Sequence, residues 1–548
     1  MTHPLDRWNA AMLTVIVGGV AWMTVQGCAA AIPALGNTTF GELPYLRAAV
    51  AGAVPVAAEV APAVPAAPAP RVEPDWVVQL EVAPTAPPPD DVTCGPQSTA
   101  EAPVPNPPPT SSASGAAPPA GDLAPGFDVA AMMPWDISPN AKNAHLPEAV
   151  RARLGVGAAF DVATVPLEPL HGRDEDRARV AEVFARAARR EGTTRLAFWG
   201  ASHVAGEFFT GEVRRLLQDR YGDAGHGFVM PAAPWKGYRA SDVNLCTEGT
   251  WASDFHNRVG GRADGLLGFA GMSVEAATAG STGWVQTTLT NPHGRKVSRF
   301  EVYFLRQPGG GTFEVVVDDA PPEPVSTFVE PDVPVGPGAV SIAVPDGPHR
   351  LVVRPVGDAP VRLFGASMER DEPGVVVDAM GVSGRTVSSW NAWDEELQRS
   401  FLDRRPPDLA VLAYGTNEAN DARMTEDRYR ETLVGALRRL RRTLPDTPCI
   451  LIGPSDRGKK VRGTSHVVWG PTEMVARVQQ EVGPSFGCLT WDLQAATGGP
   501  GSMFRWREAD LAASDLIHFS AAGYRELARR FVTQLDPSDA MTSEPSPR

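Results

Sequence analysis

Leu196-Ala-Phe-Trp-Gly-Ala-Ser202-His203 is a short apolar run that breaks at Gly200 into a polar tip. Arg195 to Trp199 reads as a buried parallel strand, and beyond the tip Phe209, Val213, Leu216 and Leu217 recur at helical spacing. The pattern predicts strand, sharp turn and helix, with Ser202 at the carboxyl end of the strand, where open α/β sheets bind ligands. The free N–H groups and the positive dipole end of the helix start both favour a negative oxygen. A serine in this place serves equally well as a plain N-cap. The stretch alone therefore speaks for the fold and leaves the chemistry open.

Working outward, Val180, Val183, Phe184 and Ala187 mark one face of a helix over Glu175 to Arg190, directly before the strand. Between about His226 and Pro373 the period changes. Phe300-Glu-Val-Tyr-Phe-Leu, Thr312-Phe-Glu-Val-Val-Val, Val340-Ser-Ile-Ala-Val, Arg350-Leu-Val-Val-Arg and Val361-Arg-Leu-Phe alternate or run apolar between Gly, Pro and Asp turns, which predicts an inserted β-sandwich. The α/β rhythm then returns. Strands at Gly374–Met380, Leu409–Tyr414, Cys449–Ile452 and Leu489–Leu493 alternate with helices at Ser389–Phe401, around Tyr429–Leu440, at Thr472–Val482 and around Tyr524–Phe531. Such alternation gives a parallel sheet covered on both faces.

The chain has 548 residues, too many for one ordinary core, and a formal charge of −14 argues against nucleic acid or anionic-lipid surfaces as main partners. No charged residue occurs between Arg7 and Glu42, so residues 1–35 read as a signal peptide or membrane anchor and the remainder as exported. Two forms of this stand. Val25-Gln-Gly-Cys28 resembles a lipoprotein processing site, and the apolar stretch is also long enough to stay as one membrane span. Residues 36–150 are dominated by Ala and Pro and read as a disordered tether, with Trp76-Val-Val-Gln-Leu taken as solvated linker. Residues 537–548 read as a disordered tail.

The five cysteines form no Cys-x-x-Cys pair, which argues against structural zinc. No phosphate loop or metal-ligand cluster stands out, so no cofactor is expected. Cys449 and Cys488 each open a strand of one sheet, which leaves a disulfide between them open in an oxidising compartment.

Four segments each place one suitable group beyond a strand or at a helix start: Ser202, Gly381-Val-Ser-Gly384, Gly415-Thr-Asn417-Glu418 and Asp515-Leu-Ile-His518. Acyl transfer needs such parts. A hydroxyl needs a base, for which His is suited; a carboxylate fixes the imidazole tautomer; donors stabilise the oxyanion. Here those donors are the backbone N–H of Ser202, that of Gly384 and the amide of Asn417.

Gly-x-Ser-His, Gly-x-x-Gly, Gly-Thr-Asn-Glu and Asp-x-x-His, in this order, resemble blocks I, II, III and V of the SGNH, or GDSL, hydrolases. An SGNH domain interrupted after block I by a β-sandwich is similar to exported peptidoglycan O-acetylesterases, whose insert resembles a carbohydrate-binding module. The resemblance implies a flavodoxin-like three-layer α/β domain with a jelly-roll-like insert, Ser202 as nucleophile, His518 as base, Asp515 as orienter, and Gly384 and Asn417 as oxyanion donors. It divides the chain into a first hydrolase part at 151–225, the insert at 226–373 and a second part at 374–536. One departure is Ala201, where the family carries Asp; Gly381 could also take the role of Gly384. His203, Trp235 and Ser455 are candidate substrate contacts. Trp199 reads as core, and Gly463-Thr-Ser-His466 is a decoy of the first motif, read as loop.

The function expected is an exported serine esterase that removes O-acetyl or other O-acyl groups from peptidoglycan or another acylated polysaccharide. A glycan O-acetyltransferase with the same triad and a non-catalytic glycan-binding protein are the alternatives.

Overall fold

The computed structural model describes residues 73–88, 135–136, 160–289, 291–462 and 465–535, all within one compact unit. The signal or anchor segment with Cys28, most of the tether and the tail at 537–548 lie outside the described residues.

The site is carried by a five-stranded sheet: β1 (Thr193–Gly200), β2 (Gly374–Gly381), β3 (Leu409–Ala413), β4 (Cys449–Ile452) and β5 (Cys488–Trp491), in the order β2-β1-β3-β4-β5. Every pair is parallel, and the order is the flavodoxin-like one. Successive residues of β1 face opposite sides: Leu196 and Phe198 join one apolar core, Ala197 and Trp199 the other. That two-sided burial is why the strands read as continuous apolar runs. The helices covering the sheet are α1 (Asp174–Ala188), α2 (Ser202–Ala205), α3 (Phe208–Tyr221), α4 (Glu395–Arg404), α5 (Glu426–Thr443), α6 (Pro471–Val482) and α7 (Ala521–Leu535). The helix read from Ser389 is two pieces, a 3₁₀ turn at Val387–Asn391 and then α4, which Asp394 caps by accepting from the Leu397 N–H at 2.8 Å.

Between β1 and β2 lies the sandwich. One sheet runs Val77–Glu81, Gly336–Gly347, Val297–Pro308, Val361–Glu369, Met272–Ala276 and Ala252–Phe255, with Phe328–Val329 and Gly225–Val229 attached; the other is built from Glu323–Ser326, Thr312–Val317, Arg350–Pro355, Thr282–Thr287 and Val243–Glu248. Its junction with the α/β layer is a buried charge cluster. Glu369 of the sandwich accepts from Arg195 of β1 at 2.9 Å and pairs with Arg405 at 2.6 Å, while Arg405 also binds Asp378 of β2. Asp378 in turn accepts from the Phe228 N–H at 2.8 Å. Burial opposes ionisation of Glu369, but Arg195, Arg405 and Arg299 outweigh it and hold its pKa far below the usual carboxylate range.

Three expectations are corrected. Val77–Glu81 is a strand of the sandwich, parallel to Gly336–Gly347 with Val77 opposite Ala339, and Trp76 packs edge-on against Phe401 of α4 at 5.8 Å. The alternating Val-Val-Gln-Leu-Glu finds an unpaired sheet edge more than 250 positions downstream, so this part of the tether is ordered. Trp135–Asp136, in the same stretch, pairs with Ser465–His466. In the decoy, Ser465 and His466 lie in a strand and not in a loop, since Ser465–Val468 pairs antiparallel with Gly458–Arg462.

Cys449 and Cys488 are opposite residues of β4 and β5 and are joined by a disulfide, with Cα atoms 4.6 Å apart. Cys246 is disulfide-bonded as well. Among the described residues no helix is long and apolar enough to cross a membrane, and none group as a metal site.

Candidate active site

The register of β1, β2 and β3 aligns Gly200 with Gly381 and Ala413, so the segments after all three strands leave the sheet at one edge. Glycine is required at two of these positions by close approach. A Cβ on Gly200 would meet the Ala413 carbonyl at 2.8 Å and Val204, and one on Gly381 would meet the Ala205 N at 2.2 Å. Gly381 thus lets α2 lie against β2, which leaves Gly384 as the exposed turn residue, held at φ +77° with open space around it.

Ser202 is the first residue of α2, so its N–H has no intrahelical acceptor. Its hydroxyl lies 2.7 Å from His518 Nε2. His518 Nδ1 lies 2.7 Å from Asp515 Oδ2, and Asp515 Oδ1 accepts from the His518 and Ile517 N–H groups at 3.0 and 2.9 Å. Burial alone would raise the Asp515 carboxyl; the ring and backbone donors outweigh it and hold the pKa at about 2. The acid is therefore ionised throughout the neutral range and fixes the imidazole with Nδ1 protonated, leaving Nε2 to accept from the serine.

The Asn417 side chain donates to the Arg385 carbonyl at 2.8 Å, which ties the third segment to the turn after β2. An amide has two N–H groups, so one remains. Beneath, the buried Glu418 accepts from the Val387 N–H at 2.7 Å and the Gly415 N–H at 3.0 Å. Burial pushes its carboxyl up to about 7 against those two bonds and its own backbone N–H. Glu418 stands in the quoted Gly-Thr-Asn-Glu motif, yet its bridging role was not read there: nothing local says which backbone groups fold onto it.

The secondary candidates fare differently. His203 stands behind the base, its ring 5.3 Å from that of His518 and its Nδ1 2.8 Å from the Tyr524 hydroxyl. Burial, then the nearby His518, lowers its pKa to about 3 despite Asp515; its Nε2 is buried without a partner. It is part of the wall, not an open substrate contact. Ser455 is fully buried and donates to the Ile517 carbonyl at 3.3 Å. It braces the Asp515–His518 segment and does not line a cleft, because the chain after β4 turns inward. Trp235 is half-buried and packs edge-on against Tyr238 and Phe255 at 5.4 and 6.4 Å. Trp199 is core, donating to the Phe269 carbonyl at 2.7 Å. Ala201, where the family has Asp, is buried in the apolar cluster.

Comparison with known proteins agrees with this arrangement. Residues 353–526 match the model of the GDSL-like lipase/acylhydrolase family. No curated protein sequence matches. A solved peptidoglycan O-acetylesterase is similar at 25% identity over 68% of this chain and 98% of its own, with a TM-score of 0.56. A family two carbohydrate esterase from Clostridium thermocellum in complex with cellohexaose is 12% identical over 49% of this chain and 95% of its own, but its TM-score of 0.22 carries no argument.

A flavodoxin-like sheet with a serine, an imidazole and a carboxylate in line at its carboxyl edge defines the class as α/β ester hydrolase. Within that class, residues 353–526 are similar to the GDSL-like lipase/acylhydrolase family, and the likeness supports a hydrolytic esterase.

Proposed function

We propose that the protein is an exported esterase that removes O-acetyl groups from a cell-envelope or extracellular glycan, with Ser202 as nucleophile, His518 as base and Asp515 as its orienter. The observation that carries this is the pair of 2.7 Å contacts that join the three side chains in one line. Ser202 Oγ attacks the ester carbonyl while His518 Nε2 takes its proton. The oxyanion is met by the Ser202 and Gly384 N–H groups and the spare Asn417 N–H. The carbonyl–sugar bond breaks, the proton passes to the departing sugar oxygen, and a water activated by His518 releases acetate and restores the serine.

The glycan substrate is supported by the similarity to a peptidoglycan O-acetylesterase along nearly that protein's whole length, and export by the Cys449–Cys488 bridge, a bond that persists in oxidising compartments. Tethering by residues 1–35 or a lipidated Cys28 completes the reading. Acetate release from acetylated peptidoglycan and acetylated xylan is the test. Wild type releases acetate without an added acceptor, and Ser202→Ala lowers kcat by roughly 10⁴-fold or more. Release only on addition of an acceptor sugar would make the protein a transferase, and no release with retained glycan binding would make it a binding protein.

A further inference from the structure

Elsewhere in this acidic chain, arginines at the buried domain junction face carboxylates: Arg195 and Arg405 meet Glu369, and Arg214 meets Glu207 at 2.9 Å. Arg441, which has no carboxylate within ion-pair distance among the described residues, spends its donors on the carbonyls of Leu444, Thr447, Phe486 and Gly487. Two arginines beside the catalytic serine's oxyanion donors meet no carboxylate among the described residues, and each donates to one backbone carbonyl. Arg385 directly follows Gly384, and its carbonyl holds Asn417. Its guanidinium lies 5.0 Å over the Phe255 ring at the seam with the sandwich and donates to the His256 carbonyl, while its Nε is buried with no acceptor. Arg457, 8% exposed, reaches the same segment from below, with Nη1 3.4 Å from the carbonyl of Thr416, the residue before Asn417; its Nε is also buried without an acceptor. Among the described residues neither has a carboxylate in ion-pair contact. Asp515 attracts Arg457 through space but is engaged by His518.

A third cation stands nearby. The Lys459 ammonium lies 3.5 Å from the centre of the Trp469 ring, and the Trp469 indole donates to the Ala419 carbonyl at 2.6 Å. Burial, then Arg457, lowers the Lys459 pKa to about 8, and burial lowers Arg385 with no carboxylate to oppose it. Partly desolvated positive groups, Arg457 and Lys459 by the Thr416–Ala419 segment and Arg385 at the adjoining seam with the sandwich, cost free energy in the unliganded protein unless an anion completes them. A guanidinium fork fits a planar carboxylate through two parallel hydrogen bonds.

We infer that Arg385 and Arg457, with Lys459 at the rim, form a carboxylate-recognition site beside the oxyanion donors, so that the preferred substrate is an acetylated glycan carrying a carboxylate close to the ester. This rests on the esterase reading above for what the site serves, although its binding can be measured separately.

The test uses the Ser202→Ala full chain, which binds without turnover, and two ligands: acetylated peptidoglycan fragments with free carboxylates and the same fragments with those carboxylates reduced to alcohols. Calorimetry is expected to give at least about tenfold tighter binding of the charged ligand, with the difference shrinking as salt is raised. Arg385→Gln or Arg457→Gln in the same background brings the ratio to within about threefold, and Arg385→Lys, which keeps the charge but not the fork, falls between. Thermal melting of each variant separates loss of the site from loss of fold. Equal affinity for the two ligands in a folded Ser202→Ala protein overturns the inference, even if wild type releases acetate from both. Retained discrimination by a wild-type protein that releases no acetate supports the carboxylate site and overturns the esterase reading instead.

Discussion

At the scale of single residues the site depends on backbone held by one buried acid as much as on the triad. Glu418 joins the turn after β2 to the turn after β3 by accepting from both, so the positions of the Gly384 N–H and the Asn417 amide are set through it. Its carboxyl is raised from the ordinary 4.5 to about 7 in the fold. Between these values the folded protein binds more proton than the unfolded chain, so this group's contribution to stability falls as pH rises from about 4.5 to 7, by on the order of 3 kcal/mol. Glu418→Gln should flatten that slope, which urea denaturation at pH 5 and pH 7.5 measures; an unchanged slope contradicts the assignment. Other residues were legible by type but not by direction. Ser455 reads as a polar group after a strand, and only the inward turn of the chain shows that it braces the Asp515–His518 segment. Arg385 and Arg457 stand out because, among the described residues, no carboxylate is in ion-pair contact with either, which no local pattern encodes.

At the scale of elements, β4 and β5 are short, four residues each, and are fastened at their first residues by Cys449 and Cys488. The bridge closes a loop of 39 residues that contains α6. Chain-entropy arguments give such a loop roughly 4 kcal/mol of stabilisation. Cys449→Ser with Cys488→Ser should therefore lower the denaturant midpoint substantially when measured without reducing agent, where the bridge of Cys246 stays intact in both proteins; an unchanged midpoint would show the Cys449–Cys488 bridge to be dispensable. Elements with strong period were readable from sequence: β1 to β5 and the amphipathic helices alternate because a parallel sheet must be covered on both faces. The strand at Val77–Glu81 was not, since its five residues lie in Ala/Pro-rich surroundings and its partner is remote.

At the scale of the molecule, the sandwich is inserted between adjacent strands of the sheet, so both chain connections pass through the Glu369–Arg405–Asp378 cluster region. Removing one member of a buried ion network leaves its partner uncompensated at a cost of about 3 to 5 kcal/mol. Asp378→Ala should destabilise both layers together, giving one unfolding transition at lower denaturant when followed by tryptophan fluorescence and circular dichroism. Separate transitions would mean that the junction does not couple them. The alternation of strands and helices made a covered parallel sheet legible, and the resemblance carried by the four motifs implied the flavodoxin-like fold; the charge cluster that seats the sandwich was not legible, because its residues come from separate segments.

The central claim is that Ser202 carries the acyl group during turnover. Rapid quenching of the full chain with an activated acetyl ester, followed by peptide mass spectrometry, tests it most directly. The arrangement of Ser202, His518 and Asp515 predicts one acetyl group on Ser202 in wild type and none in Ser202→Ala. Acetate release with the label on another residue, or with unchanged turnover in Ser202→Ala, would contradict it.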